Sequence, residues 1–600
     1  MRAADVRAPV QAERPRLAAA LLASASAGFA FGVLFPAWHV AIEPAQVLAG
    51  LVEYPSGNPF HLYEVRLWNA WHQLLAPLLK AGVPERFLTL LLSGLVTSIE
   101  FMAISVFAIA CGAPGALALA APCLLCFYNP KLWGLIYPVV ILGAGHTYGT
   151  VGLAWLLLAS GMLGCGRWAA GAFLFGIGPA VHASLGASAA IVAALCALAD
   201  WRGLRPHLGR VIGAGTLGTS LAALSLTLHL RGQPPLPTVD PAVASQYLDV
   251  FVRLWDAHRR PPDFMSWNMA LVAVVIVNAS GALWLTRSEI GPASAIALRI
   301  VLACSALGLA FGAMLRFVPV EAIPDAVLVA MPTRLINVPV LAFVPLLVGL
   351  LGRWRGDPLA RVGLVALAGI AVLFRAQLPK LLFVGLPLVG ILVLVVIVRR
   401  ARAAREPQAV APRLFEVWLS RQARIFDTLF GVAVAAGIVL LASAGVRRFP
   451  ASLAALADRT NDRVLAEASR ATGLIAVAPG LSTVQLLTRH PILIDPGALD
   501  MLPYAPAGGP ELARILDEVY GLDFFAPPAS ARNQAVVPVD LVKAVWERRS
   551  RTEWVAVAAR FGVTDVLAPA TWRLELPEVV QGAGRVLYRV PVASGPSGSP

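Results

Sequence analysis

The chain has 600 residues, 58% of them hydrophobic and 14% charged, with a mean hydropathy of +0.73 and a formal net charge of +14. Soluble globular proteins carry about 25% charged residues, so a wholly soluble architecture is excluded. The positive charge does not imply a nucleic-acid partner. Its arginines sit in short loops between apolar blocks (Arg202/Arg205/Arg210, Arg353/Arg355/Arg361, Arg399/Arg400/Arg402/Arg405), with no separate basic surface interleaved with aromatics.

Apolar blocks of roughly 17–25 residues, enough to cross a hydrocarbon core about 30 Å thick, recur up to residue 446. They predict about thirteen spans, near 17–36, 86–110, 113–127, 149–165, 168–184, 185–200, 208–230, 267–287, 293–315, 334–352, 360–375, 380–398 and 426–446. The first lacks a small-residue cleavage motif, which predicts a retained anchor. The stretch 130–145 is apolar but short and carries two prolines. It reads as a half-depth segment, tolerated only where it is buried in protein or lines a cavity. Cys123 and Cys126 form a CxxC with no second pair or histidine partner, which is no zinc site.

Charge orients these spans. With a cytoplasmic N-terminus, the arginine-rich loops fall on the cytoplasmic side. Loops 37–85, 231–266 and 316–333, together with residues 447–600, then lie outside, which is the periplasm for a multi-pass protein of a bacterial inner membrane. Residues 447–600 read as a small α/β domain. Strands are expected at 473–479, 490–496 and 584–591, helices at 511–522 and 539–549, and a helix–glycine–strand unit over 552–569. The fold class is therefore a polytopic α-helical membrane protein, residues 1–446, with a C-terminal soluble α/β domain, residues 447–600.

Ionisable side chains near membrane depth are costly and mark function. Those on the outer side form a group. The first loop carries Glu43, Glu53 and Glu64 with His39, His61 and His72, and its YPSGNP turn (54–59) predicts a structured loop. His146 and Tyr148 in GHTYG, His182 between two spans, Arg259 and Arg260 in DAHRRPPD, and Arg334 in MPTRLIN belong to the same side. Arginines can bind a phosphate leaving group, and a carboxylate can act as general base or hold a divalent metal such as Mg or Mn.

This layout resembles the GT-C superfamily of membrane glycosyltransferases: a cytoplasmic N-terminus, a long acid-bearing first outer loop, a half-depth segment, many spans and an outer α/β domain. The resemblance implies a polyprenyl-phosphate sugar donor and transfer to a lipid, glycan or protein acceptor on the outer face. It also implies Glu43 as the base, with Glu53 second, and Arg334 near the donor phosphate, with His146, His182, Arg259, Arg260, Glu64, His61 and Tyr148 binding substrate. The family's first-loop acid is usually an Asp or an acidic pair, and this loop has neither. A polysaccharide polymerase, ligase or assembly factor is an alternative. So is a transporter or channel, although only one broken segment is evident where transporters often carry matched pairs.

Overall fold

The structure, a computed structural model, describes residues 8–128, 130–142, 147–233, 239–375, 379–405, 418–419 and 421–591. Among the described residues, eight helices are long and apolar enough to cross a membrane, and five shorter apolar helices accompany them. Each predicted span corresponds to one of these helices, so the protein is a polytopic helical membrane protein. In chain order the first part contains α1 (Ala8–Leu34), then α2 (Ile42–Leu48), α3 (Pro59–Arg66) and α4 (Ala70–Lys80) in the first loop, then α5 (Glu85–Cys111) and α6 (Gly115–Tyr128). Next come α7 (Tyr148–Gly164), α8 (Trp168–Val181), α9 (Ala183–Ala199), α10 (Trp201–Leu204), α11 (Leu208–Arg231), α12 (Pro241–Leu254), α13 (Trp267–Leu285) and α14 (Pro292–Phe317). The series ends with α15 (Asp325–Ala330), α16 (Val338–Arg353), α17 (Pro358–Arg375), α18 (Pro379–Arg405) and α19 (Ala423–Ala455).

Lipid supplies no hydrophobic force between helices, so close packing depends on small residues. α1 lies against α5 in this way: a Cβ on Gly32 would sit 2.1 Å from the Ser93 carbonyl oxygen. Helix ends are set by local chemistry. The Asn58, Asn69 and Ser266 side chains accept from backbone N–H groups to start α3, α4 and α13, filling donors that lack a helical partner. Gly112, at φ +115°, closes α5.

Residues 130–142 form no long helix. Beyond a short 3-10 turn at Pro130–Leu132 they run as irregular chain with Trp133, Leu135, Val139 and Ile141 buried. Irregular backbone at such depth needs protein partners. Asn337 provides them: its Oδ1 accepts from Leu135 N at 2.7 Å, and its Nδ2 donates to Leu135 O at 2.9 Å. Asn268 Nδ2 donates to the carbonyls of Leu132 and Gly134, both at 3.2 Å.

The tail contains α20 (Arg463–Ala468), α21 (Val484–Thr488), α22 (Gly509–Glu518), α23 (Val539–Arg548) and α24 (Arg551–Phe561). Its sheet is β1 (Leu474–Val477), β2 (Val563–Pro569), β3 (Glu578–Gly582) and β4 (Arg585–Arg589), in the order β1-β2-β4-β3. β1 and β2 are parallel, with Ile475 opposite Asp565, and the other pairings are antiparallel, with Leu567 opposite Leu587. Two details differ from expectation. Segment 490–496 makes a single bridge, Ile492 to Ile475, because Pro491 and Pro496 cannot donate to a ladder. β3, unforeseen, is a half-exposed edge strand whose EVVQG sequence lacks a clear apolar alternation.

The tail does not stand apart. Its core includes Phe60 from loop 37–85 and Val250, Phe251 and Trp255 from loop 231–266. Trp255 Nε1 donates to Phe524 O at 2.8 Å, and Asn58 Nδ2 donates to Leu493 O at 2.9 Å. Glu85, at the start of α5, accepts from Arg489 Nε at 2.5 Å and Gln46 Nε2 at 2.9 Å. The opposite end of the bundle gathers arginines: Arg353 donates to Cys111 O and Glu289 O, Arg400 pairs with Glu289, and Arg299 pairs with Asp200.

Candidate active site

The first loop folds as three short helices pressed beneath the tail. α2 carries Glu43 and α3 carries Glu64, both buried. Gln485 of α21 joins them, its Nε2 donating to Glu64 Oε2 and to the backbone oxygen of Glu43, each at 3.0 Å. The Tyr54 hydroxyl donates to Gln485 Oε1 at 2.5 Å, which leaves the amide nitrogen facing the acids. Asp495 lies behind, held by the N–H groups of Gly497 and Thr483.

Burial, with the nearby Glu64 and Asp495 carboxylates, pushes the Glu43 carboxyl well above its ordinary value. Burial likewise raises Glu64 to about 8, against the Gln485 hydrogen bond, which favours the charged form. Glu43 Oε1 has no hydrogen-bond partner among the described residues. An open lone pair on a buried carboxyl whose proton affinity is raised is the arrangement a general base needs.

A second cluster is cationic. Arg334 sits on a 3-10 turn, Pro332–Asn337, just before α16, and is only 8% exposed. Its Nη2 donates to the Tyr504 hydroxyl at 3.0 Å, its Nη1 lies 3.2 Å from His182 Nε2, and its Cζ lies 5.2 Å from the Tyr137 ring centre. Arg259 pairs with Asp256 at 2.6 Å, donates from Nε to Leu328 O, and faces Tyr504 at 5.5 Å. Arg334 Nε and Arg259 Nη2 are buried with no partner among the described residues. Buried donors of this kind call for an acceptor. Burial alone would raise the Tyr504 phenol, but Arg334 and Arg259 hold it below its ordinary value.

Aromatic rings join the two clusters. Tyr63, on α3 beside Glu64, lies 5.9 Å from the Tyr504 ring. Tyr148 at the start of α7 shares a 2.7 Å hydrogen bond with His72 Nε2. His72 is held neutral, its value lowered to about 3 by burial and then by His229.

The sequence-predicted residues distribute unevenly over this geometry. Glu43, Glu64, Tyr148, His182, Arg259 and Arg334 converge on it. His61 is set to one side, stacked on Tyr54 at 5.2 Å. Arg260 is half-buried next to Arg259 and makes no side-chain hydrogen bond among the described residues. Glu53 stands exposed in the bend between α2 and α3, away from the buried carboxyls. His146 lies outside the described residues. Among the described residues, no group of three or more His, Cys, Asp or Glu side chains could hold a metal ion. The described residues therefore offer Mg or Mn no fitting donor set.

Sequence reasoning missed the tail's contribution: Gln485, Asp495 and Tyr504. Nothing in DMLPYAP (500–506) marks Tyr504. It enters the site only because the tail docks on loops 37–85 and 231–266. Tyr137 did carry a signal, since it sits in the segment read as half-depth.

No family model and no curated protein matches this sequence. Among solved structures, the chain is similar to the crystal structure of ArnT from Cupriavidus metallidurans bound to undecaprenyl phosphate, with 15% identity, coverage of 98% of this chain and 99% of that chain, and a TM-score of 0.42.

Proposed function

We propose that the chain is a GT-C-type membrane glycosyltransferase that moves a sugar from a polyprenyl-phosphate donor to an acceptor hydroxyl at the end of the bundle carrying the tail. The observation behind this reading is the pairing of buried carboxyls, one with a free oxygen, with buried arginines that have unfilled N–H groups. The acceptor oxygen attacks the anomeric carbon while the bond from that carbon to the phosphate oxygen breaks. Its electron pair leaves on the phosphate, and the hydroxyl proton passes to Glu43. Arg334 and Arg259 take the developing charge in a site dry enough for such contacts to be strong. Glu64, kept largely protonated at neutral pH, limits the charge beside Glu43.

The arginine-rich end would then face the cytoplasm, which places the tail and site on the periplasmic side of a bacterial inner membrane. A thermal-shift titration of the purified full chain with polyprenyl phosphate, against polyprenol, provides the test. Stabilisation by the phosphate alone, lost in Arg334→Gln, supports the reading, as does loss of sugar transfer to membrane acceptors in folded Glu43→Gln. Equal response to both lipids, with transfer intact in Glu43→Gln, overturns it.

A further inference from the structure

At the end of the bundle away from the site, a cavity of about 670 Å³ opens between the last turns of α9 and α13 and the first turns of α14. Leu195, Leu283, Ile290 and Leu302 give it apolar walls, and Trp284, 78% exposed, stands at its side. Its charged lining is Arg287, Arg299 and Asp200. Arg299 Nη1 lies 3.2 Å from Asp200 Oδ2, yet it makes no hydrogen bond among the described residues, so the ion pair leaves that N–H unfilled. Arg287 is exposed and has no partner among the described residues. Two guanidinium groups and one carboxylate thus line the same apolar cleft between helices.

We propose that this cleft binds an anionic glycerophospholipid, its phosphate between Arg287 and Arg299 and its acyl chains along Leu195 and Trp284. Basic pockets between membrane helices take anionic headgroups, and each nearby arginine adds about 1 kcal/mol, or about fivefold in affinity. Exposed Arg202 in α10 and Arg205 in the 3-10 turn that follows it give the surrounding surface the same sign. Apolar walls favour a lipid over a free anion, because inorganic phosphate gains nothing from them. The site is independent of the sugar-transfer reading and shares no residue with it.

Native mass spectrometry of the full chain in detergent, titrated with phosphatidylglycerol, phosphatidylcholine, polyprenyl phosphate or inorganic phosphate, tests it. Phosphatidylglycerol is expected to bind in preference to phosphatidylcholine, about fivefold more weakly in Arg287→Gln and about 25-fold more weakly in the double variant with Arg299→Gln. Asp200→Asn removes the competing carboxylate and is expected to bind more tightly, an effect that misfolding cannot produce. Arg287 is exposed, so its single variant retains the fold. Equal binding of phosphatidylcholine, or unchanged affinity in Arg287→Gln and Asp200→Asn, overturns the proposal. Arginine-dependent binding of polyprenyl phosphate or inorganic phosphate in preference to phosphatidylglycerol also overturns it.

Discussion

Gly308→Ala probes how the site is held in place. Gly308 lies in α14 where the 3-10 turn bearing Arg334 crosses it. A Cβ there would stand 2.4 Å from Ile336 N, 2.8 Å from its Cα and 3.0 Å from its Cβ. Non-bonded heavy atoms settle at about 3.5 Å, so the turn must retreat by about 1 Å. Alanine returns about 0.5–1 kcal/mol of helix propensity, whereas overpacking costs about 1–3 kcal/mol. The net destabilisation is about 1–2 kcal/mol, too little to unfold a well-packed bundle. The same displacement carries Arg334 off Tyr504 and His182, contacts now at 3.0 and 3.2 Å. A misplacement of about 1 Å can cost about 100-fold in rate. The assay compares sugar transfer and melting temperature with those of Gly213→Ala, whose new Cβ would meet nothing within 4 Å. If Gly308→Ala transfers sugar as fast as Gly213→Ala, Arg334 is not held by this contact and the argument fails.

Three further outcomes are expected. Burial, with the Glu64 and Asp495 carboxylates, raises the Glu43 carboxyl, so transfer should climb with pH as this base loses its proton, and Glu64→Gln should move that limb to lower pH by removing a carboxyl that raises Glu43. The folded state binds protons that the unfolded chain releases above 4.5, so the melting temperature should fall as pH rises through about 8, and less steeply in Glu64→Gln. Asn337→Ala leaves Leu135 N and O buried and unpaired at about 1–3 kcal/mol each. It should lower the melting temperature and expose residues 130–142 to proteolysis, and an unchanged cleavage pattern would count against the clamp. Glu85→Ala strands Arg489 and Arg459, a loss of about 3–5 kcal/mol for a buried pair. Hydrogen exchange should then quicken around residues 459–489, and unchanged exchange would mean that the core shared with Phe60 and Trp255 holds the tail alone.

Much of the fold is a matter of composition. A run such as GVAVAAGIVLLASAGV in α19 has no polar backbone partner except itself, so in lipid it must be helical wherever it packs. The spans, the irregular stretch after α6 and the helix–Gly562–strand unit were therefore legible from local sequence alone. The alternating arginine content gives an expected sidedness for the polar loops. The site was half legible. Arg334 stood out because an ionisable group is costly where it lies, and Glu43 by its position in the first loop under the family resemblance. Glu53 and Glu64 are equivalent as sequence, and only docking of the tail exposes one and buries the other beside Gln485. Tyr504 and Gln485 reach the first loop across more than 400 positions of chain, a separation that no local period encodes. Local physics decides helix or strand, whereas burial decides which carboxyl holds its proton, and burial here depends on how the tail seats against loops 37–85 and 231–266.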